Sequence, residues 1–130
     1  MRIASAVTAM IAIASHAALA DIKRHASIPQ ALQGSWAPSA QGCESDEKSV
    51  IVLTAKAYTS AEMTCAVDWV SETAAPRGST YSAHLRCIGQ APQAASSVVN
   101  LIIRPDGAKQ ISVGLDFSNL RPYQRCAAKE

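Results

Sequence analysis

The sequence predicts an all-β domain, a small antiparallel meander of seven or eight strands curled into a barrel or sandwich and held by two disulfides. Three observations predict this fold. Apolar and polar residues alternate with a period of two along most of the chain beyond residue 50, as they do in half-buried strands. Proline and glycine separate these runs at short intervals. Four cysteines follow an apparent export signal, and an even number of cysteines in an exported chain indicates disulfides.

The N-terminus has the three parts of a cleaved signal peptide. Arg2 supplies the positive charge, residues 3–19 are almost entirely apolar, and Ala18 and Ala20 form a small-x-small cleavage site. A membrane anchor is the alternative. A spanning helix needs about 20 consecutive apolar residues, and this run ends at the cleavage site. We therefore expect a periplasmic or secreted protein with no stable membrane anchor.

Length and composition predict one modest domain after the signal. We assign residues 1–20 to the signal peptide, 21–33 to a flexible N-terminal segment and 34–130 to a single β domain. Aromatic residues make up 5% of the chain and much of the apolar content is alanine, so the core needs covalent support. The formal net charge is only +2. Because nucleic-acid binding requires a clustered basic face, we expect no nucleic-acid partner.

Alternation and turn chemistry place the strands. The first strand is predicted at 34–37, and β-rich runs follow at 50–54 and 57–59. Two hairpin turns are indicated by Pro-Arg-Gly at 76–78 and Pro-Asp-Gly at 105–107. The predicted inward-facing residues of the later strands are Met63, Cys65, Val67 and Trp69; Tyr81, Ala83, Leu85 and Cys87; Val99, Leu101 and Ile103; and Ile111, Val113, Leu115 and Phe117.

The hairpin centred near Pro76 favours one pairing of the four cysteines. Counting outward from this turn sets Cys65 opposite Cys87 on the inward face, which leaves Cys43 to pair with Cys126. A closed barrel brings the loop after the first strand close to the last strand. The chief alternative is Cys43–Cys65 with Cys87–Cys126, because directly opposed cross-strand disulfides are often strained. No close Cys-x-x-Cys pair is present, so we expect no metal site.

The run Gly34-Ser35-Trp36 resembles the Gly-x-Trp signature that opens the first strand of calycin (lipocalin-like) barrels. The resemblance implies a barrel whose end is filled by Trp36, which packs near a basic residue of a late strand. Arg121 or Arg125 fits that part, and the Trp36 ring offers a face to the guanidinium. A plain core aromatic is the other interpretation of Trp36. The chain is similar in size to small periplasmic calycin-like inhibitors, but no inhibitory site of those families carries over.

The sequence contains little that resembles a catalytic site. The two histidines after the signal, His25 and His84, are expected in the loose N-terminus and on the outward face of a strand. Asp68, Glu72 and Asp116 have no second carboxylate at a convincing distance in a meander, as acid–base catalysis by paired carboxylates requires. We expect no catalytic residues.

The acidic cluster Glu44, Asp46 and Glu47 suits calcium oxygen chemistry but lacks the glycine and the full ligand set of a calcium loop. A solvated acidic loop is the better interpretation, and no cofactor is expected.

The expected function is therefore an exported binding or inhibitor-like module. Loops on a rigid barrel usually carry function, so we expect residues 38–49 and 90–97 to contact a periplasmic protein or a small ligand. The alternatives are a small periplasmic hydrolase with an unrecognised site and a structural envelope protein.

Overall fold

The computed structural model describes residues 22–45, 47–89 and 96–127. The predicted signal peptide, Asp46 and most of the 90–97 loop lie outside these residues. Within them the chain forms nine strands in one antiparallel sheet, with short helical segments between them. The strands are β1 (Ile22–His25), β2 (Gly34–Ala37), β3 (Ile51–Leu53), β4 (Ala57–Thr59), β5 (Met63–Ala75), β6 (Gly78–Gly89), β7 (Ser97–Asp106), β8 (Gln110–Gly114) and β9 (Arg121–Arg125). Helix α1 spans Ala40–Ser45, and 3-10 helices span Gln30–Leu32, Glu47–Ser49 and Phe117–Asn119.

Strands β2 to β9 form a closed eight-stranded barrel, which confirms the predicted fold class. Each strand pairs with its neighbours in the chain, and β9 pairs with β2 to close the wall. The closing register sets Trp36 opposite Arg125. Closure gives every barrel strand a neighbour on both sides over part of its length, although residues 97–101 of β7 pair with β6 alone.

Strand β1 lies within residues 21–33, for which the sequence predicts a flexible segment and no strand. β5 is much longer than β4, which pairs with only residues 64–66 along one edge of β5. β1 lies along the same edge further down, where it pairs with residues 70–73. The strand satisfies backbone groups of β5 that β4 does not reach, so the sheet begins at Ile22 rather than at Gly34.

The β5–β6 hairpin keeps the predicted register at one end and departs from it at the other. Cys65 faces Cys87 and Val67 faces Leu85, as predicted. A β-bulge between Val67 and Trp69 then shifts the pairing by one residue. A bulge places two residues of one strand against one of its partner. The prediction that Trp69 faces inward is therefore wrong.

The core fills the barrel with side chains from every wall strand. Trp36, Leu53, Leu85 and Ile103 are among its largest fully buried residues, and Val70 occupies the inward position predicted for Trp69. The described core contains no buried polar or charged residue.

The two disulfides form as the favoured pairing predicted. Cys65–Cys87 joins adjacent strands inside the barrel, and both residues are 2% exposed. Cys43–Cys126 joins α1 to the residue after β9. Because 83 residues separate Cys43 from Cys126 along the chain, this second bridge ties the two ends of the barrel domain together.

The alternation of strand direction sorts the connections into two ends. We call the end where β2 begins and β9 finishes the capped end; residues 26–33 and the turns at 54–56, 76–77 and 107–109 lie there. We call the opposite end the loop end. In the described part of the chain it carries residues 38–45, 47–50, 60–62 and 115–120, together with the end of β6 and the start of β7.

Strand β8 ends earlier than the alternation of apolar and polar residues over 111–117 predicted. Gly114 closes β8, and a Cβ placed there would lie 2.6 Å from the carbonyl oxygen of Asn119. The chain turns at this close approach and enters a 3-10 helix, where the Ser118 amide donates to the Asp116 carboxylate. The prediction that Leu115 and Phe117 face inward is therefore wrong, and they are 54% and 64% exposed.

Candidate functional site

Arg125 closes the capped end of the barrel. Its guanidinium carbon lies 4.2 Å from the centroid of the Trp36 ring. Nη1 donates to the carbonyl oxygen of Gln33 at 2.7 Å, Nη2 to that of Ala31 at 2.6 Å, and Nε to that of Ala108 at 3.3 Å. These contacts join the segment before β2 to the β7–β8 turn. A cation on a ring face gains from the ring quadrupole, and its donors satisfy carbonyls that the sheet does not reach.

Gly34 is required beside this contact for two reasons. Its φ of +134° lies in a region that side chains disfavour. A Cβ at this position would also lie 2.9 Å from Nη1 of Arg125. Trp36 completes the motif, because it is 1% exposed and its indole N–H donates to the carbonyl oxygen of Leu32 at 3.0 Å. The Gly-x-Trp spacing therefore gives Arg125 both its space and its ring.

Arg121, the other candidate, occupies a different place. It is exposed at the start of β9, opposite Val113 and at the loop end. Arg125 lies four positions further along the same strand, at the capped end. Of the two predicted arginines, the structure therefore brings Arg125 to Trp36.

A hydrogen-bonded chain of polar side chains crosses β1, β5 and β6 near the capped end. Glu72 accepts from Ser79 Oγ at 2.5 Å and lies 2.8 Å from Nε2 of His25. These two contacts hold the pKa of Glu72 below its ordinary value, with the Ser79 hydrogen bond as the larger cause. Tyr81 lies opposite Glu72 in the β5–β6 register. Burial is the larger cause that raises the pKa of Tyr81, and the charge of Glu72 raises it further.

The order of these groups does not suit Ser79 as a nucleophile activated by His25. A serine nucleophile needs a base such as histidine within hydrogen-bond distance of its hydroxyl. Here the Ser79 hydroxyl donates to Glu72, and Glu72 stands between Ser79 and His25. What this arrangement does is hold β1 to β5. Local sequence patterns do not reveal the contact, because 47 residues separate His25 from Glu72.

The β-bulge in β5 creates a stack of three side chains on the outer surface of the sheet. The His84 and Trp69 ring centroids are 3.5 Å apart with planes at 17°, and the Arg24 guanidinium lies 3.8 Å from the Trp69 ring. Arg24 and His84 reach Trp69 from β1 and β6, the strands on the two sides of β5, so Trp69 lies between Arg24 and His84. Burial, and then the Arg24 charge, lower the pKa of His84. The prediction that His84 faces outward holds, but it packs against Trp69.

The loop end carries much of the exposed apolar surface. Phe117 and Leu115 project from the β8–β9 connection, while Ile88 and Val98 lie where β6 ends and β7 begins. Ile22, on β1, is the one large exposed apolar side chain that the described residues place near the capped end. Exposed apolar surface gathered in one region marks interaction sites.

The predicted loop 38–49 begins at the loop end and turns back along the outside of the barrel. Cys43–Cys126 fixes α1 there. A groove of about 790 Å³ lies beside this bridge, lined by outward-facing residues of β2 to β4 including Ser35, Val52 and Thr59. The disulfide therefore holds the first predicted contact loop in one position. The second, 90–97, is described only from Ser96 onward.

The described residues contain no group of three or more His, Cys, Asp or Glu side chains placed to hold a metal ion. The calcium interpretation of Glu44, Asp46 and Glu47 rests partly on Asp46, which is outside the described residues. In the described part of the chain, no helix has the length and apolar character needed to cross a membrane.

Comparison of the chain with protein-family models, with curated proteins and with solved structures found no match. The class of protein is therefore defined by its own architecture, which is a small closed antiparallel β-barrel with two disulfides. Disulfides persist in oxidising compartments, so this class fits an extracytoplasmic module.

Proposed function

We propose that this protein is an exported, periplasmic or secreted binding module of the calycin-like type, and that its loop end contacts a partner protein. The observation that carries the proposal is the exposed apolar surface of the loop end, above all Phe117 and Leu115. The rigid scaffold and the disulfide that anchors loop 38–49 support it. A preformed surface binds more tightly because less freedom is lost on association.

A protein partner is favoured over a small ligand held inside the barrel. The wall strands point Trp36, Leu85, Leu101 and the Cys65–Cys87 bridge into a continuous core. Such a packed interior suits a scaffold, whereas ligand barrels of eight strands keep room for one small molecule. Exposed aromatic and aliphatic side chains beside polar loops are typical of the centres of protein interfaces.

Two observations support the calycin-like and exported character. The Gly34–Trp36–Arg125 arrangement matches what the resemblance implies for a barrel end, with Arg125 over the Trp36 ring. The predicted signal peptide and the two disulfides both indicate a route through the membrane into an oxidising compartment.

Site-specific photocrosslinking tests the proposal. A photoreactive amino acid replaces Phe117 in one variant and the exposed Arg77, in the turn between β5 and β6 at the other end of the molecule, in the control. Both proteins are purified after export and irradiated in periplasmic extract. We expect one discrete adduct from position 117 that is absent from position 77.

The captured protein is then purified and titrated against single variants. Phe117→Ser and Leu115→Ser are expected to weaken its binding by about tenfold or more, the loss typical of an interface hot spot, while Arg77→Ser leaves it unchanged. Equal adducts from both positions, or full affinity in the Phe117→Ser variant, would contradict the assignment of the loop end.

A further inference from the structure

Strand β1 leaves one edge free near the capped end. In the described sheet each of the eight barrel strands pairs on both sides over at least part of its length, whereas β1 pairs with β5 alone. Among the described residues, no strand lies beside the opposite edge of β1. Alternate residues of such an edge present their N–H and C=O groups outward, ready to pair with another extended chain.

The side chains of this edge are basic. β1 reads Ile-Lys-Arg-His, and Ile22, Lys23 and Arg24 are exposed. His25 is paired with Glu72, and Arg24 stacks on Trp69 while keeping its charge. Just beyond the strand, Lys56 donates a hydrogen bond from Nζ to the carbonyl oxygen of Ala26 and adds a further cation.

Charge excludes a second copy of β1 as the natural occupant. Two copies would pair antiparallel about a two-fold axis. Three registers pair at least three residues of the two copies. The register that pairs all four sets Lys23 of one copy opposite Arg24 of the other. The other two set Lys23 opposite the second Lys23, or Arg24 opposite the second Arg24. Like charges directly opposite each other destabilise an antiparallel pair. The same positions favour a strand that carries carboxylates.

We propose that β1 is a docking edge for an extended acidic segment of a partner protein, which adds to the sheet as a strand beside Ile22–His25. Main-chain hydrogen bonds supply the affinity in this mode of recognition, and side chains supply the specificity. Carboxylates of the added strand lie opposite Lys23 and Arg24. The site is separate from the loop end and does not depend on the function proposed for it.

The two faces of the added strand meet different neighbours. Side chains alternate between the faces of a strand, so Ile22 and Arg24 share the outer face with Trp69. Lys23 and His25 share the other face with Glu72. An apolar residue is accommodated beside Ile22 on the outer face. On the face of Lys23, Glu72 lies directly opposite the lysine and its carboxylate contacts His25 and Ser79. Lys23 itself makes no ion pair among the described residues, so its ammonium can meet a carboxylate of the partner.

The test uses the full chain, expressed with its predicted signal peptide and purified after export, and the fluorescent peptide Thr-Glu-Glu-Val-Thr. Paired antiparallel with β1, this peptide sets its two adjacent carboxylates opposite Lys23 and Arg24 and its valine opposite Ile22. Binding is measured by anisotropy and located by amide chemical shifts. We expect the peptide to bind, the β1 amides to shift, and an analogue with alternate backbone amides N-methylated not to bind.

Charge variants test the specificity. Lys23→Glu with Arg24→Glu is expected to weaken peptide binding by about tenfold, as two lost cross-strand ion pairs predict. The matched control reverses Lys109 and Arg121, which are exposed elsewhere on the barrel, and keeps full affinity. Hydrogen exchange of the β1 amides shows that β1 stays docked; if the reversed pair detaches it, Lys23→Gln with Arg24→Gln takes its place.

Four results would overturn the proposal. A basic peptide that binds as well as the acidic one removes the charge recognition, and an N-methylated peptide that binds equally removes strand addition. Absence of peptide binding with β1 docked shows that the charges merely protect the edge from aggregation. Sedimentation of a dimer that the Lys23 and Arg24 variants abolish would show a second copy as the occupant.

Discussion

The guanidinium of Arg125 lies 4.2 Å from the centre of the Trp36 ring, on the strand pair that closes the barrel. Two residues 89 positions apart in the sequence thus meet at the seam between the first and last barrel strands. Arg125 also binds the carbonyl oxygens of Ala31, Gln33 and Ala108. The pair therefore ties together the seam, the segment before β2 and the β7–β8 turn, which makes it the main polar anchor of the capped end.

We expect Arg125→Lys to lower the free energy of unfolding by about 2 kcal/mol, because lysine cannot make the forked contact with two carbonyls. Urea denaturation of the oxidised protein measures this loss. Arg121→Lys is the matched control, since Arg121 is exposed on the same strand, and its effect should stay within about 0.5 kcal/mol. Equal effects of the two changes would show that the Arg125 contacts contribute little.

Gly34 is expected to tolerate a side chain less well than Gly78. Both have positive φ, +134° and +122°, but a Cβ at Gly34 meets Arg125 whereas a Cβ at Gly78 has no atom within 4 Å. Gly34→Ala should cost about 3 kcal/mol and Gly78→Ala about 1.5 kcal/mol, because both are strained and one also clashes. In an Arg125→Ala background the cost at Gly34 should fall to that at Gly78. If the two costs do not converge there, the clash is not the cause of the difference.

Sequence reasoning worked where the strands run without a bulge or an early end. It failed at Leu115 and Phe117, where the apolar alternation continues in the sequence although β8 ends at Gly114. The register near the Cys65 end of the β5–β6 hairpin is uninterrupted, so counting from the turn found the Cys65–Cys87 pair. Sequence reasoning also failed for Trp69, where the bulge shifts the alternation. The three-residue spacing of Val67 and Val70, both buried, is the signal that was available in the sequence.

Local sequence patterns do not predict features that depend on distant parts of the chain. β1 is too short and too charged to look like a strand, and it forms because β5 offers an unpaired edge far along the chain. The contact of His25 with Glu72 follows from that docking. Gly-x-Trp indicated the barrel end but left Arg121 and Arg125 as alternatives, because choosing between them requires the closing register of β9 on β2.

The two disulfides should respond differently to reductant. Cys65–Cys87 is buried inside the barrel and Cys43–Cys126 is half-buried on its outside, so a dithiol should reach the outer bridge first. Alkylation followed by mass spectrometry under native conditions should label Cys43 and Cys126 before the inner pair. Simultaneous labelling of all four cysteines would show that the barrel opens before either bridge is reduced.

Removing each bridge in turn should destabilise the protein to different extents. In the chain-entropy account the cost grows with loop length, which is 83 residues for Cys43–Cys126 and 22 for Cys65–Cys87. We expect losses of about 4.5 and about 3.5 kcal/mol for the respective double alanine variants. Thermal unfolding of both variants beside the parent protein measures them. A larger loss for the inner pair would mean that packing outweighs the loop term.

His84 should titrate at lower pH than an ordinary histidine, because burial and the Arg24 charge both disfavour its protonated form. Proton NMR of its ring measures the midpoint. Arg24→Gln removes the charge, so the pKa of His84 should rise towards its ordinary value of 6.5. Lys109→Gln, at an exposed position on the β7–β8 turn, is the control and should leave it in place. An unchanged midpoint in the Arg24 variant would show that the stack does not act on His84.

The Glu72 contacts should make stability depend on pH on the acid side. The pKa of Glu72 is lowered in the folded protein from its ordinary value of 4.5, so the unfolded chain binds its proton first as the pH falls. The stabilisation is therefore complete above about pH 5 and is lost as the pH falls through the folded pKa. Urea denaturation across about pH 6 to 3 should show a steeper loss for the parent than for Glu72→Gln. Because Ser79 is the larger cause of the shift, Ser79→Ala should flatten this slope more than His25→Gln does, and the reverse order would show that the His25 contact dominates.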